Sequence, residues 1–157
     1  MSSTKAISNW KRKLRLLGLF KIPMVGYTRP RITELDTEHC IIRIRLTRRT
    51  KNHLGSMYFG ALSVGADLSP GLLCFYLAEQ QGVRISFAFK AVEGTFIKRA
   101  ETAVYFECSD AKIISQSISD SQSSGERMNQ PVRVSAKNDL GEEVASFIMT
   151  LSVKVIQ

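Results

Sequence analysis

The part of the sequence best suited to chemistry is a polar turn followed by an apolar segment that holds one carboxylate. The turn covers residues 52–56, and the apolar segment runs on to Asp67. Apolar residues three and four positions apart predict one buried face of a helix. Ser56 is the candidate N-cap, because its hydroxyl can accept a hydrogen bond from a first-turn amide. The sequence therefore predicts a buried central helix that carries a single acid.

Three parts of this segment suit the attack of water on a carbonyl group. Asp67 is the candidate general base, which activates or orients the water. The backbone amides of Phe59 and Gly60 lie at the helix start, where the helix dipole helps to stabilise an oxyanion. Asn52 is the candidate for positioning water or substrate. Each has a structural alternative: a cap or exposed acid for the carboxylate, helix initiation for the amides, and a turn residue for the asparagine.

Other polar residues of the segment give weaker signals. Tyr58 is a candidate hydrogen-bond donor to substrate, with a half-buried aromatic ring as the alternative. His53 has no obvious acid partner, and His39 is expected at the surface, so no metal site is predicted. Ser56 has no GxSxG motif around it, which argues against a serine hydrolase. The predicted chemistry needs neither a metal nor a covalent nucleophile.

The composition is that of an ordinary globular domain. The 157 residues are 44% hydrophobic and 23% charged, which suits one domain with a full-sized core. No run of about 18 apolar residues is present, so no membrane span is expected. Cations interrupt the N-terminal segment where a signal peptide needs an apolar core, and a cytoplasmic location is expected. Three isolated cysteines are expected to be buried thiols: Cys40, Cys74 and Cys108.

The net charge of +8 is concentrated in the first third of the chain. Residues 1–54 contain 13 Lys and Arg against 3 Asp and Glu, a balance of +10, whereas the remainder contains 9 against 11, a balance of −2. Such a segment can meet anionic lipid, nucleic acid or a phosphorylated ligand, or it can be a solvated face. Nucleic acid is not an expected partner, because no recognition motif is present and aromatic residues do not interleave with the basic run.

Residues 1–24 are predicted to form a basic amphipathic helix ahead of the main domain, residues 25–157. Four apolar residues fall near one face of this helix: Ile7, Trp10, Leu14 and Leu17. Most of the cations lie opposite them. Two interpretations stay open: the helix closes an open end of the domain, or it lies on an anionic membrane surface.

Alternation with a period of two predicts the strands. They are expected at residues 31–35, 40–47, 83–91 with an extension past a bulge near Gly94, 102–108, 128–137 and 144–156. Residues 109–121 are a candidate helix or loop. Pro70 predicts a kink in the central helix or the start of a second helix. The last four strands are expected in meander-like order, so the fold class is α+β, with a curved antiparallel sheet wrapped around one helix.

A resemblance to a known superfamily rests on five features within residues 25–157. They are Asn52 and Gly55 in the turn, Gly60, Asp67, and the run FKAVEGTFIKRAE at 89–101. The sequence resembles the hotdog superfamily, and most closely small acyl-CoA thioesterases of the phenylacetyl-CoA type and a poorly characterised branch beside them. Those families place an asparagine before a histidine-glycine-glycine motif and an acid seven residues after the last glycine. Here Tyr58 replaces the histidine and Phe59 the first glycine, a change expected to narrow the site or alter its substrate.

The resemblance implies a homodimer, or a tetramer built from dimers, with antiparallel central helices. It implies that an acyl-CoA or acyl-carrier thioester binds between the subunits, without a separate cofactor. The geometry of the helix also favours a site that is shared by two subunits. A rise of 1.5 Å per residue puts Asp67 about 12 Å from Phe59 along the helix axis. The acid at one carbonyl site would then come from the partner. Lys90, Lys98 and Arg99 are candidates to contact the phosphates of coenzyme A, with solvated strand ends as the alternative.

The leading function is therefore thioester hydrolysis, in which Asp67 assists the attack of water. One alternative is a non-catalytic protein that binds acyl-CoA or an acyl carrier, which is favoured if Phe59 blocks the carbonyl site. Another is a basic interaction protein that uses residues 5–51 against lipid or nucleic acid.

Overall fold

The computed structural model describes the backbone of residues 3–156 and the side chains of residues 7–156. Four α-helices, one π-helical turn and six strands follow one another in these residues. In chain order they are α1 (Ser3–Leu16), the π-helical turn (Leu17–Lys21), α2 (Pro23–Thr28), β1 (Arg31–Leu35), β2 (Cys40–Ile44), α3 (Phe59–Gln80), β3 (Arg84–Phe96), β4 (Val104–Cys108), α4 (Ala111–Ser124), β5 (Met128–Lys137) and β6 (Glu143–Ile156).

The six strands form one antiparallel sheet in the order β1-β2-β4-β5-β6-β3. The predicted α+β class and the helix wrapped by a sheet are confirmed. The expected meander is wrong for β3, which pairs along its whole length with the last strand, β6, and not with β4. Alternation specifies which face of a strand is buried but not which strand lies beside it. This pairing leaves β3 at an edge of the sheet.

The central helix α3 is buried along most of its 22 residues. Pro70 lies inside it, so the helix continues past Pro70, and the alternative of a second helix that starts there is wrong. A kink at Pro70 stays a prediction. The chain stays helical there because residues 68–74 are all buried against the sheet, and this packing offsets the hydrogen bond that proline cannot make. Ser69 adds a tether, since its hydroxyl donates to the Cys40 carbonyl oxygen at 2.9 Å.

The helix begins two residues later than a cap at Ser56 would require. Tyr58 occupies the N-cap position with extended backbone angles, and its side chain makes no capping hydrogen bond. Ser56 is instead held in the preceding loop by Asn52. The predicted Ser56 cap is therefore wrong, because the loop uses the hydroxyl that the cap would need.

A close contact fixes α3 on the sheet. Gly65 lies directly against the ring of Phe106, which comes from β4 and has no exposed surface. A side chain at position 65 would overlap that ring. The helix therefore approaches the sheet at a glycine.

Two helical segments precede the sheet and pack on the same core. Trp10 and Leu14 of α1 are 6% and 4% exposed and belong to the core cluster that includes α3. Lys13 of α1 forms an ion pair with Glu79 near the end of α3 at 2.5 Å. These contacts favour the interpretation that α1 closes an end of the domain. A domain border at residue 24 stays a prediction.

The remaining elements follow the alternation closely. The strand expected at residues 40–47 ends at Ile44, and α4 forms where a helix or loop was expected. The β5–β6 hairpin turns at residues 138–141, with Gly141 at a φ of +78°. The register irregularity in β3 falls between Phe89 and Ala91 and not near Gly94.

One described helix, α3, is long and apolar enough to span a bilayer. Its best 18-residue window is 72% buried within the fold. A core helix that protein covers on most sides can be as apolar as a membrane span. The burial of α3 within the fold assigns it to the core.

Replacing Gly65 with alanine tests the close approach of α3 to the sheet. The added methyl group would force the buried Phe106 ring to move, and overpacking of this kind costs about 1–3 kcal/mol. We expect Gly65→Ala to lower the free energy of unfolding by that amount in urea titrations. Ser63→Ala, on the more accessible face of the same helix, is the control. Equal stability of the two variants would contradict the contact.

Candidate active site

The loop before α3 is organised by Asn52. Its Oδ1 accepts hydrogen bonds from the backbone amides of Leu54 and Ser56 at 2.9 and 3.2 Å, and its Nδ2 donates to the Ser56 hydroxyl at 3.0 Å. Gly55 completes the turn with a φ of +78°. These contacts correspond to the turn-residue alternative. A contact from Asn52 to water or substrate stays a prediction.

The end of this loop is fixed to two neighbouring segments. The Tyr58 amide donates to the Thr50 carbonyl at 2.8 Å, and the Met57 amide donates to the Ala100 carbonyl at 2.8 Å. The Thr50 hydroxyl donates in turn to the Arg45 carbonyl at 2.7 Å. The start of α3 is therefore held by backbone hydrogen bonds on both sides.

Two backbone amides at the start of α3 are free. The amides of Ala61 and Leu62 both donate to the Tyr58 carbonyl, at 2.9 and 3.1 Å. The Phe59 and Gly60 amides donate to no acceptor within residues 3–156. Both lie at the positive end of the helix dipole, where unpaired N–H groups can bind a negatively charged oxygen. The structure thus leaves unpaired the two amides that the sequence singled out.

Aromatic rings surround these amides. The Tyr58 ring lies over Gly60, since a Cβ built on that glycine would be 2.5 Å from Tyr58 Cε1. The Phe59 ring is 57% exposed and packs against Tyr58, with centroids 4.8 Å apart. On its other side Phe59 meets Phe96 at 6.5 Å, and Phe96 meets Phe147 at 6.0 Å. The helix start therefore opens onto an apolar aromatic surface.

Phe96 and Phe147 are site residues that the sequence reasoning missed. Phe96 lies at the end of β3 and is 54% exposed, and Phe147 comes from β6. The alternation placed both on strands, but only the β3–β6 pairing brings them beside the helix start. The sequence offered one signal for Phe96, which is a large aromatic residue at the end of an apolar strand.

Asp67 lies two turns further along α3 and has no hydrogen-bond or ion-pair partner among the side chains of residues 7–156. It is exposed in the single chain, but nearby protein still desolvates its carboxylate and raises the pKa of Asp67 above its ordinary value of 3.8. A helical rise of 1.5 Å per residue separates it from Phe59 by about 12 Å along the axis. One chain therefore does not bring its own acid to its free amides.

Asp67 and Phe75 are exposed on one stripe of α3, and the buried Gly71 lies between them on that stripe. The Phe87 ring of β3 lies near Gly71, since a Cβ built there would be 3.2 Å from Phe87 Cζ. Phe87 also packs against Phe75, with centroids 4.8 Å apart. The stripe of α3 that carries the acid thus continues toward the edge strand β3.

The three candidate phosphate contacts do not lie together. Lys98 pairs with Glu142 at 2.9 Å, and Arg99 is exposed beside Ala100, which binds the loop before α3. Lys90 is eight residues from Lys98, on the middle of β3, about 26 Å away if the chain is extended throughout. Lys98 and Arg99 therefore lie at the same end as the free amides, and Lys90 lies apart.

The cysteines are buried free thiols, as predicted. Burial raises the pKa of Cys74 and of Cys108 to about 12 and that of Cys40 further still. Such thiols stay protonated at neutral pH and are poor nucleophiles. Within the described residues, no three His, Cys, Asp or Glu side chains are grouped as metal ligands.

Solved structures with a similar fold come from several bacteria. A Pseudomonas aeruginosa protein described as of unknown function and a probable thioesterase has a TM-score of 0.78 at 23% identity, over 92% of this chain and 95% of that one. A Chlorobaculum tepidum protein of unknown function has a TM-score of 0.81 at 11% identity, over 94% and 96%. A Haemophilus influenzae thioesterase has a TM-score of 0.68 at 10% identity, over 95% and 90%.

These likenesses confirm the hotdog fold that the sequence motifs indicated. No curated protein matches the sequence. A family model described as a domain of unknown function, DUF4442, matches residues 11–153. The match spans α3, its preceding loop, the first five strands and β6 as far as Val153, so the chain belongs to the DUF4442 family of hotdog-fold proteins.

Proposed function

We propose that the protein is a thioesterase that hydrolyses an acyl-CoA or acyl-carrier thioester at a site shared by two copies of the chain. The observation that carries the proposal is the pair of free amides at Phe59 and Gly60, together with the unpaired Asp67 on the exposed stripe of the same helix. The thioesterase descriptions of two structural neighbours support the reaction class.

The free amides would bind the thioester carbonyl. Both belong to the first turn of a 22-residue helix, so the positive end of its dipole faces the bound oxygen. When water attacks, that oxygen gains negative charge and its hydrogen bonds strengthen. Donors fixed in place before the reaction stabilise the transition state without reorganising, which is the effect of an oxyanion hole.

The acid at this site would come from the partner chain. A second copy can add its β3 antiparallel to the free edge of β3, since this 13-residue strand is hydrogen-bonded only to β6. The two α3 helices then run antiparallel, and the Asp67 of one approaches the Phe59 amide of the other. The apolar side chains of β3 favour such pairing, because Val92 and Phe96 are 61% and 54% exposed in the single chain.

The reaction then needs one water molecule and no covalent intermediate. Asp67 of the partner subunit takes a proton as the water oxygen bonds to the carbonyl carbon, which forms a tetrahedral oxyanion held by the two amides. The oxyanion collapses, the carbon–sulfur bond breaks, and the thiolate leaves. The proton passes from the carboxylic acid to the thiolate, so the products are a carboxylic acid and a free thiol. Burial raises the pKa of Asp67, which makes its carboxylate a stronger base than that of an ordinary aspartate.

The substrate would lie with its acyl part on the aromatic surface and its phosphates outward. Phe59 and Phe96 offer the apolar contact, and Arg99 lies at the same end as the amides. Lys98 can contribute only if it leaves Glu142. Lys90 of the partner subunit is a further candidate to contact the phosphates. Antiparallel pairing of the two β3 strands would give the partner's Lys90 a different position relative to the site. A cytoplasmic location, as the sequence leads us to expect, is part of this proposal.

A second candidate function is acyl-thioester binding without hydrolysis. The Tyr58 ring, which takes the place of the histidine in the family pattern, lies over Gly60. A ring that stays there would block the carbonyl from one amide. Tyr58 is 49% exposed, so it can turn away from the site at little cost. Hydrolysis of a panel of acyl-CoAs separates the two functions, and binding without turnover would favour the second.

Assembly is the first test of the shared site. We expect light scattering at micromolar concentration to give at least twice the 17.6 kDa mass of the chain. Val92→Glu places a charge on the exposed part of β3 and should yield a monomer without activity. Leu140→Glu, in the exposed β5–β6 turn, is the matched control and should remain a dimer. A wild-type monomer would contradict the shared site.

Substitutions at the two halves of the site test the mechanism. Asp67→Asn keeps the shape of the side chain but removes the base, so turnover should fall by about 10²–10⁴-fold. Phe59→Pro removes one free amide at the first helical position, where proline is tolerated and where the extended Tyr58 backbone suits a following proline. Phe59→Ala keeps the amide and is its control.

Mixed dimers separate a shared site from a site within one chain. A dimer of one Asp67→Asn chain and one Phe59→Pro chain holds one site with both parts intact and one with neither. We expect about half of wild-type turnover from the purified heterodimer. A mixed dimer as inactive as both parent homodimers would argue against the cross-subunit arrangement. Full turnover by either parent homodimer would remove from the mechanism the group that its substitution changes.

Asp67 also makes the stability of the folded chain depend on pH. Because the folded chain raises the pKa of Asp67, ionisation of this group disfavours the folded state, and its stability falls as pH rises from 3.8 through the folded pKa. We therefore expect Asp67→Asn to be more stable than wild type at neutral pH in urea titrations. The gap should close as the pH falls to 3.8. Asp139→Asn, in an exposed turn, is the control, and a gap that widens toward acid would contradict the raised pKa.

A further inference from the structure

A cluster of large apolar side chains is exposed from the end of α1 through α2. Residues 16–27, here called the apolar tip, contain six of the exposed large hydrophobic residues. They are Leu16, Leu19, Phe20, Ile22, Met24 and Tyr27. Phe20, Met24 and Leu19 are 76%, 66% and 63% exposed. Such a concentration on one short segment marks an interaction surface.

The apolar tip is an ordered hairpin. Gly18 and Gly26 touch through their backbones, and a Cβ on either would overlap the other. The Ile22 amide donates to the Leu17 carbonyl at 2.8 Å, and the Val25 amide donates to the Ile22 carbonyl at 3.0 Å. The exposed side chains therefore project from a fixed backbone, which makes their exposure a property of the fold.

Cations surround the apolar tip without acids among them. The 33 residues before Glu34 contain four lysines, four arginines and no Asp or Glu. A cavity of about 480 Å³ lies beside the tip, with Val25 and Ile32 in its lining. Four cations line it: Lys11, Arg15, Arg29 and Arg31. None of the four forms an ion pair within the described residues.

We propose that the apolar tip and the basic cavity beside it dock the protein on an anionic phospholipid bilayer. The exposed side chains of Phe20, Leu19 and Met24 enter the boundary between headgroups and acyl chains, and the cavity takes a lipid phosphate. Apolar contact together with cations is the combination by which amphipathic helices hold anionic membranes. The docking does not depend on any activity at α3.

The charge around the apolar tip distinguishes a bilayer from the other partners that could cover the tip. A second copy of the same segment would bring like charges together, with no acid on either side to pair them. A nucleic acid would match the cations but would leave exposed a tip that is mainly aliphatic, with few rings to stack on bases. An anionic bilayer satisfies both parts of the surface.

The surface also lies close to the loop that starts α3. The Arg49 guanidinium lies over the Tyr27 ring at 5.1 Å, and the next residue, Thr50, accepts the hydrogen bond from the Tyr58 amide. A bilayer at the tip would therefore lie near the route to the candidate active site. Long-chain acyl thioesters partition to membranes through their apolar tails, so this position suits such substrates.

Co-sedimentation with vesicles tests the docking on the full chain. We expect the wild-type protein to bind phosphatidylcholine vesicles that contain phosphatidylglycerol, to bind pure phosphatidylcholine weakly, and to be released by salt. Phe20→Ser should weaken binding at least about tenfold, because a buried aromatic group is lost. Arg29→Gln with Arg31→Gln should weaken it by about fivefold for each cation.

Matched controls carry the same chemical changes elsewhere. Leu140→Ser removes an exposed apolar side chain from the β5–β6 turn, and Lys112→Gln with Arg133→Gln removes two cations beside α4. Both controls should bind like wild type. If the Lys112→Gln, Arg133→Gln control loses as much as the cavity variant, net charge alone explains binding and the proposal is overturned. If Leu140→Ser loses as much as Phe20→Ser, the apolar contact is not specific to the tip and the proposal is likewise overturned.

Three other results would also overturn it. They are a wild-type chain that ignores anionic vesicles, tighter retention on an oligonucleotide than on vesicles, and a Phe20→Ser chain whose oligomeric state changes without lipid. Phe20 is 76% exposed, so its replacement should leave the melting temperature unchanged. Met24→Ser, at 66% exposure, repeats the test if Phe20→Ser does not fold.

Discussion

The burial of α3 against one antiparallel sheet is the constraint on which the rest of the structure depends. The helix is apolar over most of its circumference and must be covered on nearly every side. The contact of Gly65 with Phe106 sets how closely it lies on the sheet. The other strands and α4 cover what remains, except for one stripe and the helix start.

The uncovered part of α3 is also where the chain departs from its most stable arrangement. The helix has no side-chain cap, although a serine lies two residues before the N-cap position, and a missing cap costs about 1 kcal/mol. Asp67 lies unpaired in surroundings that disfavour its charge. Local departures of this kind tend to gather where function requires them. The two lie on one helix, about 12 Å apart at 1.5 Å per residue, which fits the proposed site shared by two chains.

The sequence predicted the features that depend on local pattern. Alternation gave β2, β5 and β6, and helical spacing gave α3 with Asp67 and the amides of Phe59 and Gly60. It failed where distant parts of the chain decide the outcome. Packing on the sheet decides between the two alternatives left open at Pro70, and the loop bonded to Asn52 removes Ser56 from the cap. The position of β3 depends on pairing across the whole second half of the chain, so Phe96 and Phe147 could not be placed at the site in advance.

The edge of β3 and the apolar tip are two exposed surfaces with different chemistry. The chemistry of each surface limits which partner can bind it. The edge of β3 presents free backbone groups and moderately charged surroundings, so a second strand of the same kind satisfies it. The tip at Phe20 presents no free strand edge and only cations around it, so a second copy would leave its charge unbalanced. One surface therefore suits self-association and the other suits an anionic partner. Because they use separate elements, β3 and the α1–α2 hairpin, a dimer can form while both of its tips stay available to a bilayer.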